Sequence, residues 1–243
     1  MTVLAPSERY HDQRKKTHKT ITDWARQMIR QVHRWLSDRA LVIVGDRSYA
    51  VVALLANVVR LPLVNMVTRL RLDAALYDPV PKREVGKNKK GRPAVKGPRQ
   101  PTLAKRLVDS NTVWEERTVA WDGSITRTVE IATGTALWYH RGIPPVLIRW
   151  VLVRDSEGTF TSQAILCTDQ KADPAQILAW FVIRWPVEVT TRGVRTHLGV
   201  ETQRQWSDLA ILRTTPALLT LLTNDTGNGM GEYENTRIRG KRR

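Results

Sequence analysis

The sequence predicts an α/β protein built on a parallel or mixed sheet, and three observations lead to this fold class. Helix-like and strand-like segments alternate over residues 1–80. Short runs with two-residue alternation, typical of β-hairpins, follow from about residue 102. Helical periodicity returns at residue 173. With 42% hydrophobic residues among 243, the chain can bury a sizeable core.

Residues 1–80 predict two helices and two strands in alternation. The first helix begins after Thr20, and its apolar residues recur at steps of three and four as far as Leu36. The apolar, β-branched run ALVIVGD then predicts a buried strand that ends at Asp46. SYAVVALLANVV predicts the second helix, and LPLVNMVTRL predicts the second strand.

Residues 81–101 interrupt this pattern. They hold eight basic residues and one acid among many Pro and Gly residues, which predicts a loop or disordered linker. Four of the basic residues are candidate DNA contacts: Lys87, Lys89, Lys90 and Arg92. A solvated basic loop without a ligand is the alternative.

The next segment, 102–170, predicts β-hairpins. TVWEERTVAW is followed by the turn signal Asp122-Gly123, and then by SITRTVEIAT and ALWYH as separate runs. VLIRWVLVRD and TFTSQAILCTD flank a turn at SEG. Cys167 lies in the last of these apolar runs and is predicted to be a small buried hydrophobe. A single cysteine excludes an internal disulfide framework and fits a reducing compartment.

A last helix is predicted to begin at residue 173. Asp173 fits the N-cap, Pro174 the first helical position and Gln176 the reciprocal cap three residues on. Pro186 is expected to kink or divide this helix.

The continuation of this helix carries a lone carboxylate, Glu188, among arginines. At helical spacing Phe181, Arg184, Glu188 and Arg195 fall within an arc of about 60°, with Arg192 close to the same face. Glu188 is therefore either the partner of Arg184 in an exposed i, i+4 salt bridge or a metal ligand surrounded by phosphate-binding groups. Spacing alone leaves both open.

Charge and composition restrict the partners. The formal net charge is +16 and the pI is about 10.6, which favours nucleic acid, with an anionic membrane surface as the second candidate. No run of 18 apolar residues is present, so no membrane span is predicted. The first residues, MTVLAPSERYHDQRKK, lack the apolar centre of a signal peptide.

Asp46 carries the same ambiguity as Glu188. An aspartate that closes a buried strand often caps the next helix. In α/β sheets, however, strand ends also deliver catalytic groups. Two carboxylates that lie far apart in sequence, one at a strand end and one on a helix, would form an oxygen-only site, which suits Mg²⁺ or Mn²⁺. Two such ions about 4 Å apart can hold the attacking and leaving oxygens of a phosphodiester.

The order strand-Asp, β-rich segment, helix-Glu resembles the DDE transposases of bacterial insertion sequences. The resemblance covers about residues 5–222. The similar segments are HKTITDWARQMI, LVIVGDRSYAVV, RLRLDAALYDP, KGPRQPTL, WYHRGIPPVLIRWVLVRD, ADPAQILAWFVIRWPVEVT and HLGVETQRQWSDLAI with RTTPALL. One subgroup has the signature Tyr-x2-Arg-x3-Glu-x6-Lys around its catalytic Glu. Phe181, Arg184, Glu188 and Arg195 hold those spacings, with Phe in place of Tyr and Arg in place of Lys.

The resemblance implies an α/β fold with an incomplete ribonuclease-H-like core, its first strands missing, and a β-rich insertion. The implied organisation is 1–80 (first part of the core), 81–101 (basic linker), 102–170 (insertion and return to the core), 171–223 (core helices with the catalytic Glu) and 224–243 (disordered tail). It also implies Asp46 and Glu188 as catalytic ligands of Mg²⁺ or Mn²⁺. DNA would be bound by Arg184, Arg192, Arg195 and Phe181, together with the linker lysines and Arg92.

The family's first catalytic carboxylate has no match here, because it lies upstream of the segment that resembles MTVLAPSERY. We therefore expect a transposase truncated at both ends and inactive by itself, acting on transposon ends and target DNA in the bacterial cytoplasm at the nucleoid. Its expected protein partners are a second copy or an intact transposase. The alternatives are a DNA-binding remnant that competes with an intact transposase, and an unrelated basic RNA-binding protein, which would prefer single-stranded RNA.

Overall fold

The computed structural model describes residues 17–80, 94–122, 125–155, 158 and 160–184. Residues 20–184 form one compact unit, and residues 1–19 with 185–243 form another, of which only 17–19 are described. The helices of the described chain are α1 (Ile21–Trp35), α2 (Val52–Val58), α3 (Leu103–Val108) and α4 (Pro174–Val182). The strands are β1 (Leu41–Gly45), β2 (Val64–Leu70), β3 (Leu76–Tyr77), β4 (Glu115–Asp122), β5 (Ile125–Trp138), β6 (Val146–Arg154) and β7 (Gln163–Cys167).

All these strands belong to one mixed sheet. Its order is β1-β2-β7-β6-β5, and β3 and β4 both pair with β5. The pair β1–β2 is parallel, and the other pairs are antiparallel. The predictions of an α/β protein and of a mixed sheet are therefore confirmed. Among the described strands, β1 has a neighbour on one side only.

Apolar side chains cover both faces of the sheet. One face packs against α1 and α2 through a cluster that includes Ala25, Leu55 and Met66. The opposite face packs against α4 through a second cluster that includes Val67 and Ile177. The two helices and two strands predicted for residues 1–80 are all present, because each has a local signal that packing reinforces.

The start of α1 follows from its capping residues. Thr20 accepts a hydrogen bond from the backbone N–H of Asp23, and the Asp23 carboxylate accepts one from the N–H of Thr20. This reciprocal cap satisfies two donors that the first helical turn leaves unpaired. The buried residues Ala25 and Ile29 lie one turn apart, which fixes the face of α1 that joins the core.

The predicted runs SITRTVEIAT and ALWYH are not separate strands. Both contribute to β5, a continuous strand of 14 residues that ends at Trp138. Gly134 lies between the two runs and weakened the strand signal, since glycine often marks a bulge or a break. In the structure Gly134 pairs with Trp150 of β6, and a Cβ at Gly134 would lie 2.6 Å from the Trp150 ring. The glycine therefore makes room for an aromatic ring within a continuous strand.

The described end of the basic segment 81–101 is attached to β3. The backbone N–H of Gln100 donates to the carbonyl of Leu76 at 2.9 Å, and that of Asp78 donates to the carbonyl of Pro98 at 2.8 Å. Gly97 lies so close to this strand that a Cβ there would be 2.7 Å from the Asp78 carbonyl oxygen. Residues 94–100 are thus a bound edge segment, while 81–93 lie outside the described residues.

Helix α4 begins as predicted. The Asp173 side chain accepts a hydrogen bond from the N–H of Gln176 at 3.1 Å, and Pro174 occupies the first turn. The helix ends at Val182, four residues before Pro186. A proline ring clashes with the carbonyl four residues earlier, which accounts for this end. Arg184 already lies in the turn after α4, and residues 185–195, which carry the rest of the predicted arc, lie outside the described residues.

Candidate active-site edge of the sheet

Strands β1 and β2 run parallel, so their carboxyl ends meet at the same edge of the sheet. Gly45 of β1 is in register with Thr68 of β2. Asp46 follows Gly45 directly after β1 and Arg69 follows Thr68 within β2, so these two residues are neighbours across strands about 4.8 Å apart. We call Asp46, Arg47, Arg69, Arg71 and Asp73 the strand-end surface.

The side chains of Asp46 and Arg69 belong to the face of the sheet that carries α4. Val42 and Val67 belong to the apolar cluster between the sheet and α4, which we call the α4-side cluster. Ile43 and Met66 pack on the opposite face. Side chains alternate along a strand, and the backbone at Asp46 is still extended. Asp46 and Arg69 therefore lie on the α4 side.

Asp46 caps the turn that follows β1. One of its carboxylate oxygens, Oδ1, accepts a hydrogen bond from the N–H of Ser48 at 2.8 Å, at the start of a single 3-10 turn, Arg47–Tyr49. The side chain is exposed, and Oδ2 accepts no hydrogen bond from the described residues. The capping interpretation is thus correct, and it leaves one oxygen open to solvent or a ligand.

The turn after β1 is packed against the strand it leaves. A Cβ at Gly45 would lie 3.1 Å from Cδ2 of Tyr49, so the Tyr49 ring lies directly on the strand end. Together with the Asp46 cap, this contact holds the strand end in one conformation. A group on a rigid element is better placed for binding or catalysis than one on a free loop.

Arg71 and Asp73 form an ion pair at the same edge. Arg71 Nε donates to Asp73 Oδ1 at 2.7 Å, and Nη2 donates to Oδ2. The hydrogen bond from Arg71 lowers the pKa of the Asp73 carboxyl, and the charge of Arg47 contributes in the same direction. Both carboxylate oxygens of Asp73 are thus engaged by Arg71. Of the two acids on the strand-end surface, only Asp46 has a carboxylate that no arginine of the described chain contacts.

The end of α4 contributes an aromatic ring and a guanidinium. Arg184 lies over the Phe181 ring, with Cζ 5.2 Å from the ring centroid. Phe181 is half-buried in the α4-side cluster, and α4 contacts both β1 and β2. Phe181 therefore shares a face of the sheet with Asp46.

Several predicted site residues lie outside the described residues: Glu188, Arg192, Arg195, Lys87, Lys89, Lys90 and Arg92. Within the described ranges, no three acidic, histidine or cysteine side chains converge on one point. Asp46 is thus the one predicted metal ligand whose geometry is known. Its exposed, partly free carboxylate is the kind of oxygen donor that Mg²⁺ and Mn²⁺ accept.

Two further observations bear on the class of protein. No helix in the described part of the chain is long and apolar enough to cross a membrane. A family model, the DDE superfamily endonucleases, matches residues 2–128.

The chain belongs to the DDE superfamily endonuclease family.

This membership covers more than half of the chain and includes Asp46, the strand-end surface and the basic segment. Glu188 lies outside the matched residues. A search of curated proteins finds no match. Membership in this endonuclease family implies a nuclease or transposase function that acts on DNA, and enzymes of this superfamily generally use divalent metal ions. The coarse prediction of a DDE-type enzyme is therefore confirmed.

Sequence reasoning missed the cationic part of this site. Arg69 and Arg71 lie in TRLRLD, at the end of the predicted second strand, and neither was predicted to be a site residue. The signal was present, since arginines at alternate positions of a strand end share one face. What the sequence did not provide was the register of β2 against β1, which places Arg69 next to Asp46.

Proposed function

We propose that this DDE endonuclease is an insertion-sequence transposase chain, with a ribonuclease-H-like core and a β-rich insertion. The observation that carries the proposal is the place of Asp46. It closes a strand of a parallel pair, on the face covered by α4, in a chain of the DDE superfamily. The antiparallel strands β4 to β7 lie within residues 102–170 and fit the role of the insertion and the return to the core, because they extend the sheet beyond the β1–β2 pair.

The reaction proposed is hydrolysis followed by strand transfer. A water molecule attacks a phosphodiester at the transposon end, which releases a 3′-OH and a 5′-phosphate. The 3′-OH then attacks a phosphodiester of the target DNA and displaces its 3′ oxygen. No covalent bond between protein and DNA is needed.

In this proposal Asp46 and Glu188 hold Mg²⁺ or Mn²⁺. When bound, such ions lower the pKa of water and stabilise the negative charge that develops on the phosphorus-bound oxygens. Asp46 suits this role because the cap holds one oxygen while the other is free. Arg184, stacked on Phe181, binds a backbone phosphate through its planar guanidinium. Arg192, Arg195, Lys87, Lys89, Lys90 and Arg92 supply further phosphate contacts.

Cleavage by this chain alone is expected to be weak or absent. Two-metal chemistry shares its ions among three carboxylates, and the resemblance assigns two of them, Asp46 and Glu188, to residues of this sequence. The test incubates the full chain with a duplex that carries candidate insertion-sequence ends, with Mg²⁺, Mn²⁺ or EDTA. Nicking is then compared among the wild type, Asp46→Asn and Glu188→Gln.

Asp46→Asn is a suitable variant because asparagine keeps an oxygen for the Ser48 N–H and so preserves the cap. Metal-dependent nicking that both substitutions abolish would support the two ligands and contradict the expected inactivity. Nicking that survives both substitutions would refute Asp46 and Glu188 as ligands.

A second candidate function is a DNA-binding competitor of an intact transposase, located at the nucleoid. The net charge of +16 favours it, because it favours binding to a polyanion whether or not the chain cuts it. The competitor, acting as a mixed dimer or by occupying transposon ends, should inhibit an intact transposase of the same family in a dose-dependent manner. Absence of both DNA binding and inhibition would exclude it.

A further inference from the structure

We propose that Arg69, assisted by Arg47, forms a phosphate-binding site that positions the DNA backbone beside Asp46. This inference rests on the proposed DNA substrate and names residues that directly contact it. Neither arginine belongs to the segment 184–195, so the site would hold the DNA at the carboxyl ends of β1 and β2.

The first step is position. Asp46 and Arg69 directly follow the last registered pair of β1 and β2, Gly45 with Thr68, and both side chains lie on the α4 side of the sheet. Arg69 is also paired with Ile165 of β7, so its backbone is held between two strands. A phosphate that contacts Arg69 would therefore lie next to the free oxygen of Asp46.

The second step is charge. Arg71 is neutralised by Asp73, whereas Arg69 and Arg47 make no ion pair or side-chain hydrogen bond with the described residues. Both are exposed, and Asp46 forms no salt bridge with either within the described chain. The strand-end surface thus presents two guanidinium groups whose donors are available.

The third step is the place of Arg47. It follows Asp46 directly in the turn after β1, at the same end of the β1–β2 pair as Arg69. Arg47 and Arg69 therefore flank Asp46 from the turn and from the neighbouring strand. Two guanidinium groups on either side of a carboxylate suit successive phosphates of one strand, because each can donate two hydrogen bonds to a phosphate.

The alternative is that Arg69 and Arg47 are ordinary solvated arginines of a basic protein. These two accounts differ in the salt dependence of DNA binding. A residue that contacts a phosphate releases counterions, and its loss reduces the slope of log K against log salt by about 0.9. A solvated arginine that contributes only to the general field changes affinity slightly and leaves the slope almost unchanged.

The experiment measures binding of the full-length chain to a fluorescent duplex of about 30 base pairs, by anisotropy in EDTA, over a series of KCl concentrations. Metal is left out, so the readout does not depend on catalysis. The variants are Arg69→Ala, Arg69→Lys and the double variant Arg47→Ala/Arg69→Ala. The matched control is Arg117→Ala, an exposed arginine of β4 whose charge is paired with Glu115.

Arg69→Ala should weaken binding about 5- to 10-fold at low salt and reduce the slope by about 0.9. Arg69→Lys should restore the slope but only part of the affinity, because an ammonium group cannot make the bidentate contact. The double variant should lose a slope of about 1.8. Arg117→Ala should stay within about twofold of the wild type, as expected for a paired arginine outside the site.

If the wild type binds DNA and Arg69→Ala matches Arg117→Ala in affinity and slope, the inference is wrong and the proposed function stands. If the wild type does not bind duplex DNA, the proposed function itself fails, and this inference with it. Thermal unfolding of each variant controls for folding. Arg69→Gln, which keeps the length and polarity of the side chain, replaces Arg69→Ala if that variant unfolds.

Discussion

At the scale of single residues, the clearest result is that the Asp46 carboxylate can serve both as the cap of a turn and as a metal ligand. Asp46 was either a cap or a ligand by sequence, and the structure shows that the cap uses one oxygen only. A ligand role for the second oxygen needs no rearrangement of the turn. Asp73, four residues beyond Arg69, is a carboxylate on the same surface, yet its oxygens are engaged by Arg71.

Cys167 gives a residue-scale prediction. It is buried as predicted, and burial raises the pKa of its thiol to about 11, from an ordinary value of 9.0. The unfolded chain therefore loses the thiol proton first as pH rises, so the stability that Cys167 contributes is complete below about pH 9 and is lost toward pH 11.

The measurement is urea unfolding of the wild type and Cys167→Ala at pH 8 and pH 10.5. Between these pH values the free energy of unfolding should fall more in the wild type than in the variant. The fall caused by all other groups is common to both proteins, so the difference between the two falls reports Cys167. The native thiol should also resist a thiol reagent at pH 8 and react after denaturation. Equal losses in both proteins, or rapid labelling of the native thiol, would contradict a buried thiol with a raised pKa.

At the scale of elements, the long strand β5 is what joins the parts of the sheet. It pairs with β6 over residues 130–138, with β4 over residues 125–131 and with β3 at residues 137 and 138. Its continuity depends on Gly134, where the Trp150 ring fills the space that a side chain would need. Gly134 thus predicts the end of a strand by its sequence, but in the fold it permits a close contact between β5 and β6.

We expect Gly134→Ala to destabilise the protein by about 1–3 kcal/mol, the usual cost of overpacking a well-packed site. Trp150→Phe should be less damaging than ring size suggests, because the buried Trp150 Nε1 has no hydrogen-bond partner among the described residues. In the double variant the smaller ring should make room for the methyl group. A double-mutant cycle from thermal unfolding should therefore show a favourable coupling, and additive effects would mean that the ring and the glycine do not share this space.

At the scale of the whole molecule, a net charge of +16 on a DDE endonuclease predicts affinity for a polyanion but not the position of any contact. Several arginines of the sheet are paired with acids, as Arg154 is with Glu130 and Arg127 is with Asp155. The charge available to a ligand is therefore concentrated where arginines lack such partners, including the strand-end surface.

Binding to duplex DNA should weaken steeply with salt, with log K falling linearly against log salt as counterions are released. The same chain should bind single-stranded RNA no more tightly than duplex DNA. Anisotropy titrations with matched fluorescent probes between about 50 and 300 mM KCl measure both. Affinity independent of salt would contradict the electrostatic account, and a clear preference for single-stranded RNA would favour the RNA-binding alternative.

The elements with local signals could be predicted from the sequence. The capping box at Thr20, the β-branched run before Asp46 and the Asp173-Pro174 cap act between residues that are close in the chain, so α1, β1 and α4 start or end where expected. The end of α4 at Val182 also has a local cause in Pro186. These signals do not depend on which elements later pack together.

By itself, then, the sequence determined the class of fold, the order of most elements, the buried cysteine and the DDE-type family. The tertiary structure alone decided the order of the strands, the continuity of β5 and the pairing of Arg71 with Asp73. It also decided that Arg69 lies beside Asp46. The physical reason is that strand register depends on contacts between residues far apart in sequence, and a shift of one residue would move Arg69 to the opposite face of the sheet.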